Sequence, residues 1–130
     1  MKVIPLIARI CLAAIFFWSG IGKVLDPAGT QQQIAGAGVP LPVLALVGAI
    51  VFELVGALLV LLGYKARWGA IALIVFLVPT TLLYHTDFAN PMQLTQFLKN
   101  LALIGGLLMV VYIGSGPLSL DARTASRSRW

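Results

Sequence analysis

Residues that hold electrons, metals or cross-links are nearly absent: the chain has one cysteine and one histidine in 130 residues. The single Cys11 excludes an intrachain disulfide, and with it the dithiol chemistry of some small membrane redox enzymes within one chain. It reads as a small apolar packing residue. His85 alone cannot build a multi-histidine haem or zinc site, so no metal site is expected. Charge is scarce as well, at 10% of residues, against about 25% in a soluble domain. A soluble enzyme of this length would have too little polar surface to cover its core. Nucleotide-binding loops, internal repeats and low-complexity tracts are also missing, and the whole chain reads as one domain.

What is present is apolar. Hydrophobic residues make up 60% of the chain, and the runs they form read as four membrane spans, at about Ile4 to Leu25, Val43 to Gly63, Ala66 to Tyr84 and Leu94 to Ser115. The 13 glycines suit helices that approach closely in lipid. The expected fold is therefore all-α, a polytopic bundle of four transmembrane helices. A cleaved signal peptide is the competing reading of the first span, because Lys2 and Arg9 flank an apolar stretch. Phe16, Phe17 and Trp18, and the lack of a clear A-x-A site, favour an uncleaved helix.

A net charge of +5 raises the question of nucleic acid, and the placement of the charges answers it. Lys2, Arg9, Lys65, Arg67, Arg123, Arg127 and Arg129 fall on one side of the membrane with Asp121. Lys23 and Lys99 fall on the other side or in its half of the bilayer, with Asp26, Glu53 and Asp87. This is the positive-inside asymmetry, which predicts N-in and C-in topology and no nucleic-acid partner. Membrane lipids are the expected surroundings, and attraction of the basic side to anionic lipid is a secondary expectation.

The short link from Gly63 to Arg67 makes spans two and three antiparallel neighbours, with Tyr64 and Trp68 as interfacial aromatics. From Asp26 to Pro42 the connection is long enough for local order, either a short interfacial or re-entrant element or a polar connector. Pro79 interrupts the third span as a tolerated kink or as a hinge, with Thr80 and Thr81 placed to satisfy the freed carbonyls. Residues 117–130 read as a basic, exposed or lipid-surface tail.

Glu53 is the most informative residue, about 15 Å from either end of its span. An unpaired charge there costs at least about 2.5–3.5 kcal/mol, so the residue should be protonated, paired or facing a wet cavity. Ala49, Gly56 and Ala57 stand at i−4, i+3 and i+4, which turns Glu53 into the bundle. Two roles are open to it: a proton or ligand contact, and a structural ion pair. Lys23 shares a face with Ser19 and Gly20, and reads as an inward group or a snorkelling anchor. Lys99 and Asn100 precede Ala102 and Gly106, a small-xxx-small face expected to pack. His85 lies four residues after Thr81, with Asp87 beyond, as a wet interfacial residue or a site residue. Under the charge-derived topology Lys23, His85, Asp87, Lys99 and Asn100 gather at the outer side, with Glu53 reaching toward them. That set outlines a polar pocket between helices for an amphipathic ligand with an oxygen-bearing ring and an apolar tail.

Several stretches resemble a known family in their order along the chain: RICLAAIFFWSGIGK (9–23), GTQQ (29–32), GVP (38–40), Glu53 with Gly56, LLGYKAR (61–67), YHTDF (84–88), FLKN (97–100) and GSGPLSLD (114–121). Together they resemble the DoxX family, in its YphA/YqjF type of bacterial inner-membrane protein. The resemblance implies a multi-pass protein of the bacterial inner (plasma) membrane. It also implies quinone-linked redox or detoxification chemistry, because DoxX-type proteins are related to the small subunit of a thiosulfate:quinone oxidoreductase. Lys23, Gln31, Gln32, Glu53, Arg67, His85, Lys99 and Asn100 match the family pattern, without a catalytic role to carry over. The expected ligand-binding residues are thus Lys23, Glu53, His85, Lys99 and Asn100. No intrinsic cofactor is expected, and any redox reaction needs a bound quinone or a partner protein with a cofactor. The alternatives are a non-enzymatic anchor or assembly subunit of a redox complex, and a small exporter of aromatic compounds, which would have to oligomerise.

Overall fold

Proline and short capping side chains set where the helices begin. In this computed structural model, which describes residues 3–84 and 87–123, the elements are α1 (Val3–Leu25), α2 (Pro27–Gly36), α3 (Pro42–Leu62), α4 (Ala66–Tyr84) and α5 (Pro91–Ile113). Pro27, Pro42 and Pro91 each occupy the first helical turn, where a missing N–H costs nothing and φ is preset. Asp26 caps α2 by accepting from Gly29 N at 3.1 Å, and Asn90 caps α5 by accepting from Met92 N at 3.0 Å. That cap starts α5 earlier than the hydrophobic run alone indicated. His85, Lys2, Arg127 and Arg129 lie outside the described residues.

Helices α1, α3, α4 and α5 are long and apolar enough to cross a membrane. The 23 residues of α1 rise about 35 Å. The protein is an all-α, polytopic membrane protein with four spanning helices. Exposed Val47, Val51, Val55 and Leu58 on α3 and Leu101 and Leu108 on α5 are the surfaces such a fold turns to acyl chains. Cys11 is exposed too, rather than packed between helices.

Helix α3 is central, packing on α1, on α4 and on α2. Ala13 and Phe16 of α1, Ala57 and Val60 of α3, Ala70, Leu73 and Leu77 of α4, and Leu107 and Val110 of α5 form the buried core. The backbones of α3 and α4 touch where Gly56 meets Gly69: a Cβ on Gly56 would stand 3.1 Å from the Gly69 carbonyl oxygen. Small residues permit this approach, which dispersion then stabilises.

Two expectations are corrected. The chain after Pro117 is not simply an exposed tail, because Ser119 is buried and Asp121 N donates to Gly63 O at 2.8 Å. The Asp121 carboxylate accepts from Lys65 N (2.7 Å) and Ala66 N (3.2 Å). It caps α4 from far along the chain, where Lys65 has no side-chain acceptor to offer. In α4, Thr80 Oγ1 and Thr81 Oγ1 donate to the carbonyls of Phe76 and Leu77. Neither hydroxyl serves Val75, whose carbonyl lost its helical donor to Pro79. The long connection after Asp26, left open between connector and local element, contains the helix α2.

Candidate functional site

Glu53 is 0% exposed at the middle of α3, and its neighbours explain how a carboxylate survives there. Lys23 Nζ of α1 donates to Glu53 Oε1 at 2.5 Å. Ser19, one turn before Lys23, accepts from that ammonium at 2.8 Å and donates to Glu53 Oε1 at 3.4 Å. Helical spacing on α1 thus delivers a cation and a hydroxyl to one oxygen. The Lys23 ammonium also lies 5.5 Å from the centre of the Phe76 ring on α4, a cation–π distance. The ion pair therefore ties three helices together. Glu53 Oε2 is buried without a partner among the described residues.

Beside this cluster is a partly open cavity of about 840 Å³ between α1, α2, α3 and α4. Lys23 and Ser19 form its polar end, Thr30 and Gln33 of α2 line another side, and Phe52, Val75, Phe76 and Leu83 supply apolar walls. Phe52, Val75 and Leu83 are also exposed, so the cavity communicates with the lipid-facing surface of α3 and α4. Its volume is in the range of small-molecule pockets.

Two other expected site residues, Asn100 and Lys99, lie elsewhere. Asn100 is buried in the seam between α4 and α5, where its amide nitrogen donates to Thr81 Oγ1 at 3.0 Å. Lys99 is exposed and donates to Gln96 Oε1 at 2.6 Å. Neither lines the cavity. Of the Ala102 and Gly106 face expected to pack, Lys99 and Ala102 are exposed, whereas Gly106 lies against α1, where a Cβ on it would stand 3.0 Å from Leu12 Cδ2. Asp87 is exposed as well.

Sequence reasoning missed a second buried cation. Arg9, counted there as an orientation charge, is 2% exposed. Its guanidinium donates to the carbonyls of Val60 (3.2 Å), Leu61 (2.9 Å) and Leu118 (2.7 Å). A fixed cation at the last turn of α3 complements the helix dipole and its unpaired carbonyls. The signal was an arginine two turns inside an apolar helix. Burial works against ionisation of Asp121 nearby. Hydrogen bonds from Ser115, Lys65 N and Ala66 N and the charge of Arg9 overcome it, holding the carboxyl below the usual aspartate value.

The fold defines a multi-pass membrane protein, with a partly open cavity beside its buried Lys–Glu pair. The pattern of the DoxX family matches residues 4–86, and the chain belongs to that family. It is 38% identical over 116 residues to inner membrane protein YqjF of Escherichia coli, covering 89% of this chain and 88% of that protein. Inner membrane protein YphA of the same organism is 35% identical over 126 residues, with 93% and 90% covered. A shorter stretch of 82 residues is 34% identical to the surfeit locus protein 4 homolog of Drosophila melanogaster, covering 55% of this chain and 30% of that one. No solved structure matches the chain.

Proposed function

We propose that this DoxX-family protein of the bacterial inner membrane binds a quinone or a related aromatic compound in the cavity beside Lys23, in redox or detoxification metabolism. The observation that carries the reading is the cavity itself. It has a cation and a hydroxyl at one end, aromatic and aliphatic walls, and exposed Phe52, Val75 and Leu83 along its open side. An oxygen-bearing ring would take a hydrogen bond from Lys23, while its apolar tail follows Phe52, Val75 and Leu83 into the acyl chains. Glu53 holds the ammonium in place. Electrons would pass to a redox partner protein carrying a cofactor.

The test is a titration of purified protein in lipid nanodiscs with a short-chain ubiquinone and with its quinol. Saturable binding of either, weakened about tenfold or more by Lys23→Met, is expected. Failure of both compounds to saturate would sink the proposal.

The ion pair favours a second reading, in which Lys23 and Glu53 serve only to tie α1 to α3 in an anchor or assembly subunit of a redox complex. Affinity purification from native membranes in mild detergent distinguishes the two. Recovery of a cofactor-bearing protein supports the subunit, and recovery of this chain alone with a co-purifying lipid-soluble ring compound supports the binding protein.

A further inference from the structure

We infer that Arg67 and Lys65 hold the phosphate of an anionic phospholipid at the seam between α4 and α5, a site separate from the cavity beside Lys23. Side-chain bonds gather one end of all four spanning helices here: Arg9 of α1 donates to Leu61 O of α3 at 2.9 Å, and Arg67 of α4 reaches Ile113 O of α5 at 3.4 Å. The positive-inside asymmetry puts this end at the cytoplasmic leaflet. The chain has four acidic residues, and Asp121 is the one that stands here. Its carboxylate accepts from Lys65 N, Ala66 N and Ser115 Oγ. Among the described residues no carboxylate pairs with the Lys65 ammonium or the Arg67 guanidinium, and both residues are exposed.

The two cations stand where a phospholipid headgroup can use them. The Arg67 guanidinium has five N–H groups in a planar fork that suits phosphate, and its bond among the described residues is the long contact to Ile113 O. Gly114, at φ 90°, turns the chain aside next to it: a Cβ there would stand 3.3 Å from Arg67 Nε. The Lys65 ammonium lies 5.6 Å from the centre of the Tyr64 ring. Tyr64, Trp68 and Tyr112 are exposed, and aromatic side chains of this kind settle at headgroup depth. One helical turn further into the membrane, Ile71 on α4 and Met109 on α5 are exposed and apolar, a surface for the acyl chains of the same molecule. A headgroup with net negative charge gains from both cations, whereas a zwitterionic one brings its own cation to oppose them.

The purified protein in maltoside micelles is titrated with phosphatidylglycerol, with phosphatidylcholine of the same acyl chains and with inorganic phosphate, and the thermal unfolding midpoint is followed. Phosphatidylglycerol should raise the midpoint saturably, at concentrations about fivefold or more below those at which either of the others acts. Arg67→Gln should weaken the phosphatidylglycerol response by about fivefold or more. Lys65→Gln should weaken it too, which keeps the site testable where R67Q does not fold. Lys99→Gln removes the same charge from an exposed residue in the other half of α5 and should leave the response unchanged. Equal responses to the two lipids overturn the inference, as do equal losses in R67Q and K99Q or no loss in R67Q and K65Q. A response to inorganic phosphate matching that to the lipid overturns the assignment to a lipid in favour of a free anion. All of these outcomes leave the reading of the cavity untouched, because neither Arg67 nor Lys65 lines it.

Discussion

Lys23 and Glu53 meet across α1 and α3 at 2.5 Å, with the carboxylate fully buried and the lysine side chain 20% exposed. The asymmetry decides what each substitution does. Lys23→Met strands a carboxylate in the interior, at a cost of about 3–5 kcal/mol, and Glu53→Leu strands the ammonium with a smaller loss because Lys23 can turn toward water. The double variant should recover most of the loss, since a well-packed apolar pair often replaces a buried ion pair at little cost. Thermal unfolding of the three variants in detergent reads this directly. Additive losses would mean that the two residues are not coupled.

Asp121 predicts an acid limb of stability. Its carboxyl titrates below the usual aspartate value in the folded protein, so the folded state binds fewer protons than the unfolded state as pH falls. The stabilisation is complete above the ordinary aspartate pKa and is lost as pH drops through the lowered folded value. Asp121→Ala should remove that limb and cost about 0.5–2 kcal/mol at neutral pH by uncapping α4. Unfolding midpoints of both proteins between pH 3 and pH 7 test it, and parallel curves would show that Asp121 is not the group responsible.

Asn100 and Lys99 are adjacent in sequence and should behave oppositely. Asn100→Leu leaves the buried Thr81 hydroxyl without its amide donor, and should cost about 1–3 kcal/mol. Lys99→Ala removes an exposed contact to Gln96, and should change stability by less than about 0.5 kcal/mol. Ring-compound affinity should be unchanged in Lys99→Ala, because the residue is not in the cavity wall. A large loss of affinity would place the binding site on α5 instead.

The spans and the inward direction of Glu53 were legible because they depend on local pattern: apolar run length, and small residues one turn to either side of position 53. The partner was half legible, since Ser19 and Lys23 share a face of α1, but nothing local says which helix that face meets. Arg9 and Asp121 were read only as orientation and tail charges, and their structural contacts were missed. Their partners are mostly backbone groups distant in sequence, which every residue carries and no pattern marks. Small residues mislead in the same way, as Ala102 shows: a helix face free of bulk can pack, but whether it does depends on what the fold places opposite.

Glycines on different faces of the bundle turn that last point into a measurement. A Cβ on Gly56 would stand 2.9 Å from Leu73 Cγ and 3.1 Å from the Gly69 carbonyl oxygen, while one on Gly105 of α5 would meet nothing within 4 Å. Gly56→Ala should therefore push α3 from α4 and cost about 1–3 kcal/mol. Gly105→Ala, on an open helix face, should be neutral or stabilising by about 0.4–1 kcal/mol through the unfolded chain. Unfolding of both variants in detergent and in nanodiscs compares them. Equal losses would mean that the Gly105 face of α5 packs against another chain, because no described residue of its own fold stands close enough to resist a methyl group.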